Sequence, residues 1–322
     1  MTAALRLDGV VKRYGRRRAL DGLAFQVPVG SITGLVGSNG AGKTTTMAVV
    51  AGFVRPDAGI IDVLGSGAFS AAKHAGRITV LPQDADLPRD ARPLDLLEFY
   101  GALQGLSSSS ARAQSTEMLE RVHLLDRSRS PVRTLSHGMR KRIAVAQCFL
   151  GEPELVLLDE PMSGLDPREG AALRDFILSR RGRQTMIISS HNLHEIEQLC
   201  DRVIFMERGR TVREDTLEAL TGRTARARYV LDTDTVPLEK LRSALPNLDM
   251  EFESDPRELI CRFDAAARSP AQVHRAVLEA LFAADIGVME VHLGDRLERE
   301  YLRHAGRFPP PRDVPGADRP MS

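Results

Sequence analysis

The sequence predicts an α/β fold: a mostly parallel sheet with helices between its strands, an antiparallel N-terminal β part, a helical insertion, and a small α+β unit toward the C-terminus. The first reason is a set of short apolar runs. Two of them, Leu155-Val156-Leu157-Leu158 and Met186-Ile187-Ile188-Ser189, are continuous enough for strands buried on both faces of a parallel sheet. The second is helical periodicity directly after such a run, as in Met47, Val50, Ala51 and Val54 after Ile32-Thr33-Gly34-Leu35-Val36. The third is a change of texture after residue 222, where the expected order becomes β-α-β-β-α-β, as in a ferredoxin-like split unit.

In chain order, Leu5, Leu7, Val10 and Val11 mark a strand, and Lys12-Arg13-Tyr14-Gly15-Arg16-Arg17-Arg18 a basic turn whose arginines read as a solvated surface rather than a binding patch. Leu23, Phe25 and Val27 alternate as a half-buried strand does. Ile60–Leu64 and Ile78–Leu81 are further strands, the latter ending at Pro82-Gln83. From Asp84 to about 150, Leu94, Leu97, Leu103, Met118, Leu119, Val122 and Leu125 recur at helical spacings round Ser107-Ser108-Ser109-Ser110, which predicts a helical insertion. It ends at Leu135-Ser136-His137-Gly138-Met139, which opens a helix carrying Ile143, Ala146 and Leu150. Leu193, Ile196, Cys200 and Val203 predict a helix after the strand at Met186–Ser189. Ala225–Leu231, Leu248–Phe252, Leu259–Phe263 and Ile286–Leu293 are the expected strands of the second unit, Leu238–Leu245 and Val273–Phe282 its helices. A last helix is expected at Leu297–Leu302, and a disordered tail over 307–322.

The chain has 322 residues, room for two domains at about 100–200 residues each. We expect one over 1–222, with its helical part at about 84–150, and an accessory unit over 223–306. A net charge of +1 excludes the broad basic field of a nucleic-acid binder. Cys148, Cys200 and Cys261 are odd in number and far apart, which suits reduced, buried thiols. Met1–Asp8 has no apolar signal region, and no stretch approaches the roughly 20 apolar residues of a membrane span. Work at a membrane would need another chain to cross it.

The chemistry concentrates at Gly37-Ser38-Asn39-Gly40-Ala41-Gly42-Lys43-Thr44-Thr45, which matches the phosphate-binding pattern G-x-x-x-x-G-K-[ST] between a strand and a helix. Its glycines let the backbone curl round an anion with N–H groups pointing inward, and the helix aims its positive end there. Lys43 would reach the β- and γ-phosphates and Thr44 would ligate Mg²⁺. Asp159-Glu160-Pro161 closes a buried strand. A carboxylate there is costly unless it meets a cation, so Asp159 is read as a metal ligand. His191 stands at another strand's carboxyl end, where ligands bind in open α/β sheets. Tyr14 is either an adenine platform or a partly buried packing residue.

With these motifs in this order, the sequence resembles the ATP-binding subunits of ABC transporters over roughly residues 5 to 220. Tyr14 corresponds to the adenine-stacking residue, Gly37–Thr45 to the phosphate loop (Walker A), Gln83 to the Q-loop and Leu135–Met139 to the signature. Leu155–Glu160 corresponds to the Walker B strand, Ser163-Gly164-Leu165-Asp166 to the D-loop and His191 to the switch histidine. The resemblance implies an ATPase that uses ATP and Mg²⁺. Lys43 and the loop amides would hold phosphates, Thr44 and Asp159 would hold Mg²⁺, and Gln83 would sense it. Glu160 would polarise the attacking water and His191 would contact the γ-phosphate. Ser136, Gly138 and Asp166 would face the ATP of a second copy. A separate membrane-spanning permease would be the other partner, with this chain on the inner face of the cell membrane.

The family's signature usually reads Leu-Ser-Gly-Gly-Gln. Here His137 replaces the first glycine and Met139 the glutamine, and Gly-Met endings are familiar in an exporter-type branch. Ser38 for proline and Met162 for threonine are mild departures. Leu297-Glu298-Arg299-Glu300-Tyr301-Leu302 resembles the last-helix pattern of the drug, antibiotic and lipid export branch. Two other readings are open to such a sequence. A soluble ABC ATPase acting on nucleic acid or ribosomes fits poorly with one cassette and a balanced charge. A non-hydrolysing subunit fits poorly with Glu160 and His191 both present.

Overall fold

The structure is a computed structural model, which describes residues 3–293 except 218, 220–223, 247, 256 and 265–268. The segment Leu297–Leu302 and the tail 307–322 lie outside the described residues.

β1 (Ala3–Tyr14) and β2 (Arg17–Pro28) form an antiparallel pair in which Tyr14 stands opposite Arg17. The strands run into the stretch expected as a basic turn, because a reversal at Gly15, whose φ is 58°, needs only two residues. β3 (Ile32–Val36) leads through the glycine-rich loop into α1 (Lys43–Val50). β4 (Ala58–Val63) then joins β1, giving a three-stranded antiparallel sheet in the order β2-β1-β4.

The second sheet holds the chemistry. It contains β3, β5 (Ile78–Leu81), β6 (Leu155–Asp159), β7 (Thr185–Ser190), β8 (Arg202–Glu207) and β9 (Arg210–Thr216), in the order β5-β6-β7-β3-β8-β9. All neighbours are parallel except the final β8–β9 pair. Its residues alternate between two cores, as the period of a strand dictates. Val156, Leu158, Met186 and Ile188 pack with the helical insertion, whereas Leu155, Leu157, Ile187 and Ile204 pack with α1 and the antiparallel sheet.

The helices on the first side include α3 (Pro93–Leu103), α4 (Ser108–Arg121), α5 (His137–Ala146), α6 (Pro167–Leu178) and α7 (Leu193–Leu199); a single turn, α2 (Ala71–His74), precedes β5. The serine stretch starts α4, since the Ser107 hydroxyl accepts from the Ser110 amide and caps its first turn. Two expectations fail here. Leu150 is not on α5, which ends at Ala146, but is an extended residue beyond the turn that follows. Val203 does not continue the helix after Leu193 but belongs to β8. The helix ends at Leu199 because Asp201 is bonded to β3: its amide donates to the Ile32 carbonyl (2.7 Å) and its carboxylate accepts from the Ile32 amide (2.9 Å).

Beyond residue 223, β10 (Thr224–Leu231), α8 (Leu238–Ala244), β11 (Asp249–Ser254), β12 (Arg257–Asp264), α9 (Pro270–Ala283) and β13 (Val288–Leu293) build a four-stranded sheet. Its order is β11-β12-β10-β13 with every pair antiparallel, so each crossover helix leaves room for one strand between the two it joins. Tyr229, Leu259, Cys261 and Phe263 meet Leu241, Val273, Val277 and Leu281 in its core.

Candidate nucleotide site

The loop after β3 takes its shape from glycines that nothing else could replace. Gly42 sits at φ 109°, and a Cβ there would lie 2.7 Å from the Ala19 carbonyl oxygen. At Gly37 a Cβ would come within 2.5 Å of the Met206 carbonyl oxygen. The backbone is thereby packed against β2 and β8 while α1 points its N-terminus at the loop's hollow. Lys43, at the first turn of α1, is buried. Its Nζ donates to the Gly37 carbonyl (2.7 Å) and lies 3.9 Å from Glu160. Burial holds this ammonium below the ordinary lysine range, against the pull of Glu160 and Asp159.

Those carboxylates stand at the end of β6. Asp159 is 1% exposed; one oxygen accepts from the Ser189 hydroxyl, and the other, Oδ2, has no partner among the described residues. A buried, unpartnered carboxylate oxygen is costly. With the Thr44 hydroxyl on the cavity wall it supplies the hard oxygens that Mg²⁺ prefers, so the residues present fit that ion. Glu160 has a left-handed backbone, φ 49°, held by its amide donating to the Ser189 hydroxyl (3.0 Å). Its two oxygens each lie 3.0 Å from His191 Nδ1, which donates. Lys141 of α5 is a second buried lysine, lowered by burial and opposed by Asp159, Glu160 and Asp84.

Lys43, Thr44, Glu160 and His191 share the wall of a cavity of about 580 Å³, within the size range of small-molecule sites. Tyr14, Asn39, Gly40, Gly42, Lys43, Thr44, Thr45, Gln83, Glu160 and His191 line it, all expected from the sequence. Gly37 and Ser38 contribute carbonyls to Lys43 from behind, and Ala41 packs in the core beside them. Half of Tyr14 is exposed, and Lys12 Nζ lies 5.7 Å from its ring centroid. Asp159, 1% exposed, does not line the cavity, and neither do three residues expected to face a second copy: Ser136, Gly138 and Asp166.

The last three meet elsewhere. Ser136 caps α5 and Asp166 caps α6, where its carboxylate accepts from the Glu169 amide (2.8 Å). Asp166 and Glu169 have the spacing of a capping box, in which the glutamate would turn back to its own cap. Instead Glu169 reaches the signature turn. It accepts from the Ser136 hydroxyl (3.4 Å), lies 3.7 Å from Arg142, and sits where a Cβ on Gly138 would be. His137 packs over Gly164.

Sequence reasoning missed Glu169, and it missed Ser189, which holds Asp159 and the Glu160 amide. A hydroxyl at the carboxyl end of the strand before His191 was the available signal. Arg17 and Ser163 also line the cavity, beyond the expected set.

The lining of this cavity, with an exposed aromatic ring and a buried lysine in a glycine-rich loop, suits a nucleoside triphosphate and places the protein among the phosphate-loop nucleotide-binding proteins. Comparison with known proteins narrows that class. Residues 20–163 match the family described as ABC transporter. The chain is 37% identical to a daunorubicin resistance ATP-binding protein of Streptomyces coeruleorubidus, over 88% of this chain and 90% of that one. It is 32% identical to a Nod factor export ATP-binding protein of Ralstonia nicotianae, over 95% of each. A solved ATP-binding subunit of an ABC transporter superposes with TM-score 0.61 and 26% identity, covering 68% of this chain and 92% of that one. The chain belongs to the ATP-binding subunits of ABC transporters, and its reaction is ATP hydrolysis.

Proposed function

We propose that two copies of this chain close around two ATP molecules and drive a separate membrane-spanning permease in the direction of export. The observation that carries this is the division of the site. Lys43, Glu160 and His191 share one cavity, while Ser136 and Gly138 lie outside it on the same chain and, once Glu169 releases the Ser136 hydroxyl, can complete the cavity of another copy. The export direction is supported by relatives named for drug resistance and Nod factor export. No helix among the described residues is long and apolar enough to cross a membrane, which supports a second chain for the span and a peripheral position on the membrane's inner face.

In this reading Tyr14 stacks on adenine. The loop amides of Gly37 to Thr45 and Lys43 hold the phosphates. Thr44 and Asp159 hold Mg²⁺, with Gln83 beside them; the ion, when bound, neutralises charge on the phosphate oxygens. Glu160, oriented by His191 and by Ser189 beneath it, aligns and polarises the water that attacks the γ-phosphate. Asp166 shapes the face that meets the second copy. Residues 1–222 form the motor, with the 84–150 insertion contacting the permease, and 223–306 an accessory unit.

Replacing Glu160→Gln tests the core of this. Hydrolysis should fall by about 10²–10⁴-fold, with an ATP-bound dimer accumulating on a sizing column. Full hydrolysis by a monomer would refute it. Purification from membranes together with a multi-span partner tests the rest, and enrichment of RNA or ribosomes instead would favour the soluble reading.

A further inference from the structure

The arginine run after Tyr14 holds a residue that the sequence reading left as solvated surface. Arg16, Arg17 and Arg18 are all exposed, yet their surroundings differ. The Arg18 guanidinium is committed to Asp21 (2.7 Å), which also takes Arg210. Arg17, by contrast, forms no ion pair among the described residues and turns into the nucleotide cavity, whose wall it shares with Tyr14 and Lys43. Its Nη2 lies 3.4 Å from the Gly40 carbonyl and 3.0 Å from where a Cβ on Gly40 would stand. One long bond leaves most of the guanidinium's N–H groups without a described acceptor.

Position decides what it binds. Arg17 is the register partner of Tyr14 across β1 and β2, so its backbone is fixed at the adenine end. Its head group reaches Gly40 of the phosphate loop. The part of a nucleotide between the base and the β-phosphate is the ribose and the α-phosphate, and a planar cation with free N–H groups matches the phosphate. We propose that Arg17 is a nucleotide-binding residue that clamps the α-phosphate against Gly40. The inference rests on the nucleotide reading above and deepens it. Lys43 serves the phosphates that change during hydrolysis, and Arg17 serves one that does not. Binding of that kind is uniform between ground and transition states, so its loss is felt in KM more than in kcat.

The test is nucleotide affinity of the full chain with Mg²⁺, by calorimetry, for Arg17→Ala, Arg17→Lys and Arg16→Ala. Arg17→Ala should weaken ATP and ADP by similar factors of about tenfold, which is 1.4 kcal/mol. Arg17→Lys should recover part of the loss, and Arg16→Ala should leave both affinities unchanged. Hydrolysis by Arg17→Ala should show most of its loss as a raised KM. Unchanged affinity in Arg17→Ala overturns the proposal, and so does an equal loss in Arg16→Ala, which would mark a general charge effect. ATP weakened far more than ADP also overturns it, by putting the guanidinium on the γ-phosphate. If Arg17→Ala melts early, Arg17→Lys alone decides by the same ratio of ATP to ADP. A wild-type chain that binds neither nucleotide would sink the underlying functional reading itself.

Discussion

Glu169 should restrain the signature turn, and removing it should make the ATP-bound dimer easier to form. The Ser136 hydroxyl has one proton, and in this structure it is donated to Glu169 at 3.4 Å. It cannot donate to a partner copy's phosphate at the same time. A bond that long to a carboxylate is worth about 1 kcal/mol, and the partly exposed pairing with Arg142 at 3.7 Å contributes less than that. Two protomers must each release the contact, so the dimer carries about 2 kcal/mol of restraint. At 1.4 kcal/mol per factor of ten, that is about 30-fold in the dimer dissociation constant. The measurement is ultracentrifugation with saturating ATP in a Glu160→Gln background, which keeps ATP intact. Glu169→Ala should dimerise about 30-fold more tightly. Glu169→Gln, which keeps an acceptor but loses the charge, should fall between. The same substitution leaves Arg142 without its carboxylate, so the monomer should melt slightly earlier. Unchanged or weaker dimerisation of Glu169→Ala would mean that the carboxylate supports the closed form and would refute the restraint.

Further outcomes follow from individual residues. Gly42→Ala puts a Cβ 2.7 Å from a carbonyl at φ 109°, so it should cost at least about 2 kcal/mol in thermal unfolding and abolish ATP binding; a variant that binds ATP normally would contradict the loop geometry. His274 of α9 shares a hydrogen bond with the Tyr229 hydroxyl (2.7 Å) in the second unit, and burial lowers its pKa from the ordinary 6.5. The unfolded chain therefore binds the proton first, and stability of residues 224–293 should fall as pH drops below about 6.5. Hydrogen exchange at pH 7.5 and 5.5 checks this, and His274→Gln should flatten the difference. Cys148 and Cys261 are buried with thiols pushed up to about 12, and Cys200 is raised as well. A thiol reagent at pH 8 should leave all three unmodified until denaturant is added, and rapid labelling of the native chain would disprove their burial.

How far the site could be read depended on how local its chemistry is. The glycine-rich loop, Glu160 at a strand end and His191 at the next are each defined within a few residues, and they converge on one cavity. Val203 was misassigned because Leu193, Ile196, Cys200 and Val203 keep helical spacing, and only the bonds from Asp201 to Ile32, far away in sequence, break the helix there. Ser189, Arg17 and Glu169 carry no motif of their own, and their importance comes from what stands opposite them.

By itself, then, the amino-acid sequence determined the alternation of strands and helices, the phosphate cradle and the identity of the charged groups, because apolar periodicity and glycine spacing act over short stretches. Only the tertiary structure decided that Asp159 Oδ2 has no partner among the described residues, that Lys43 is buried beside Glu160, and that Ser136 and Gly138 lie outside their own chain's cavity. Those facts depend on strand order and on which side chains the packing brings together. Strand order joins segments more than a hundred residues apart, as β3 lies beside β7, and no local pattern encodes it.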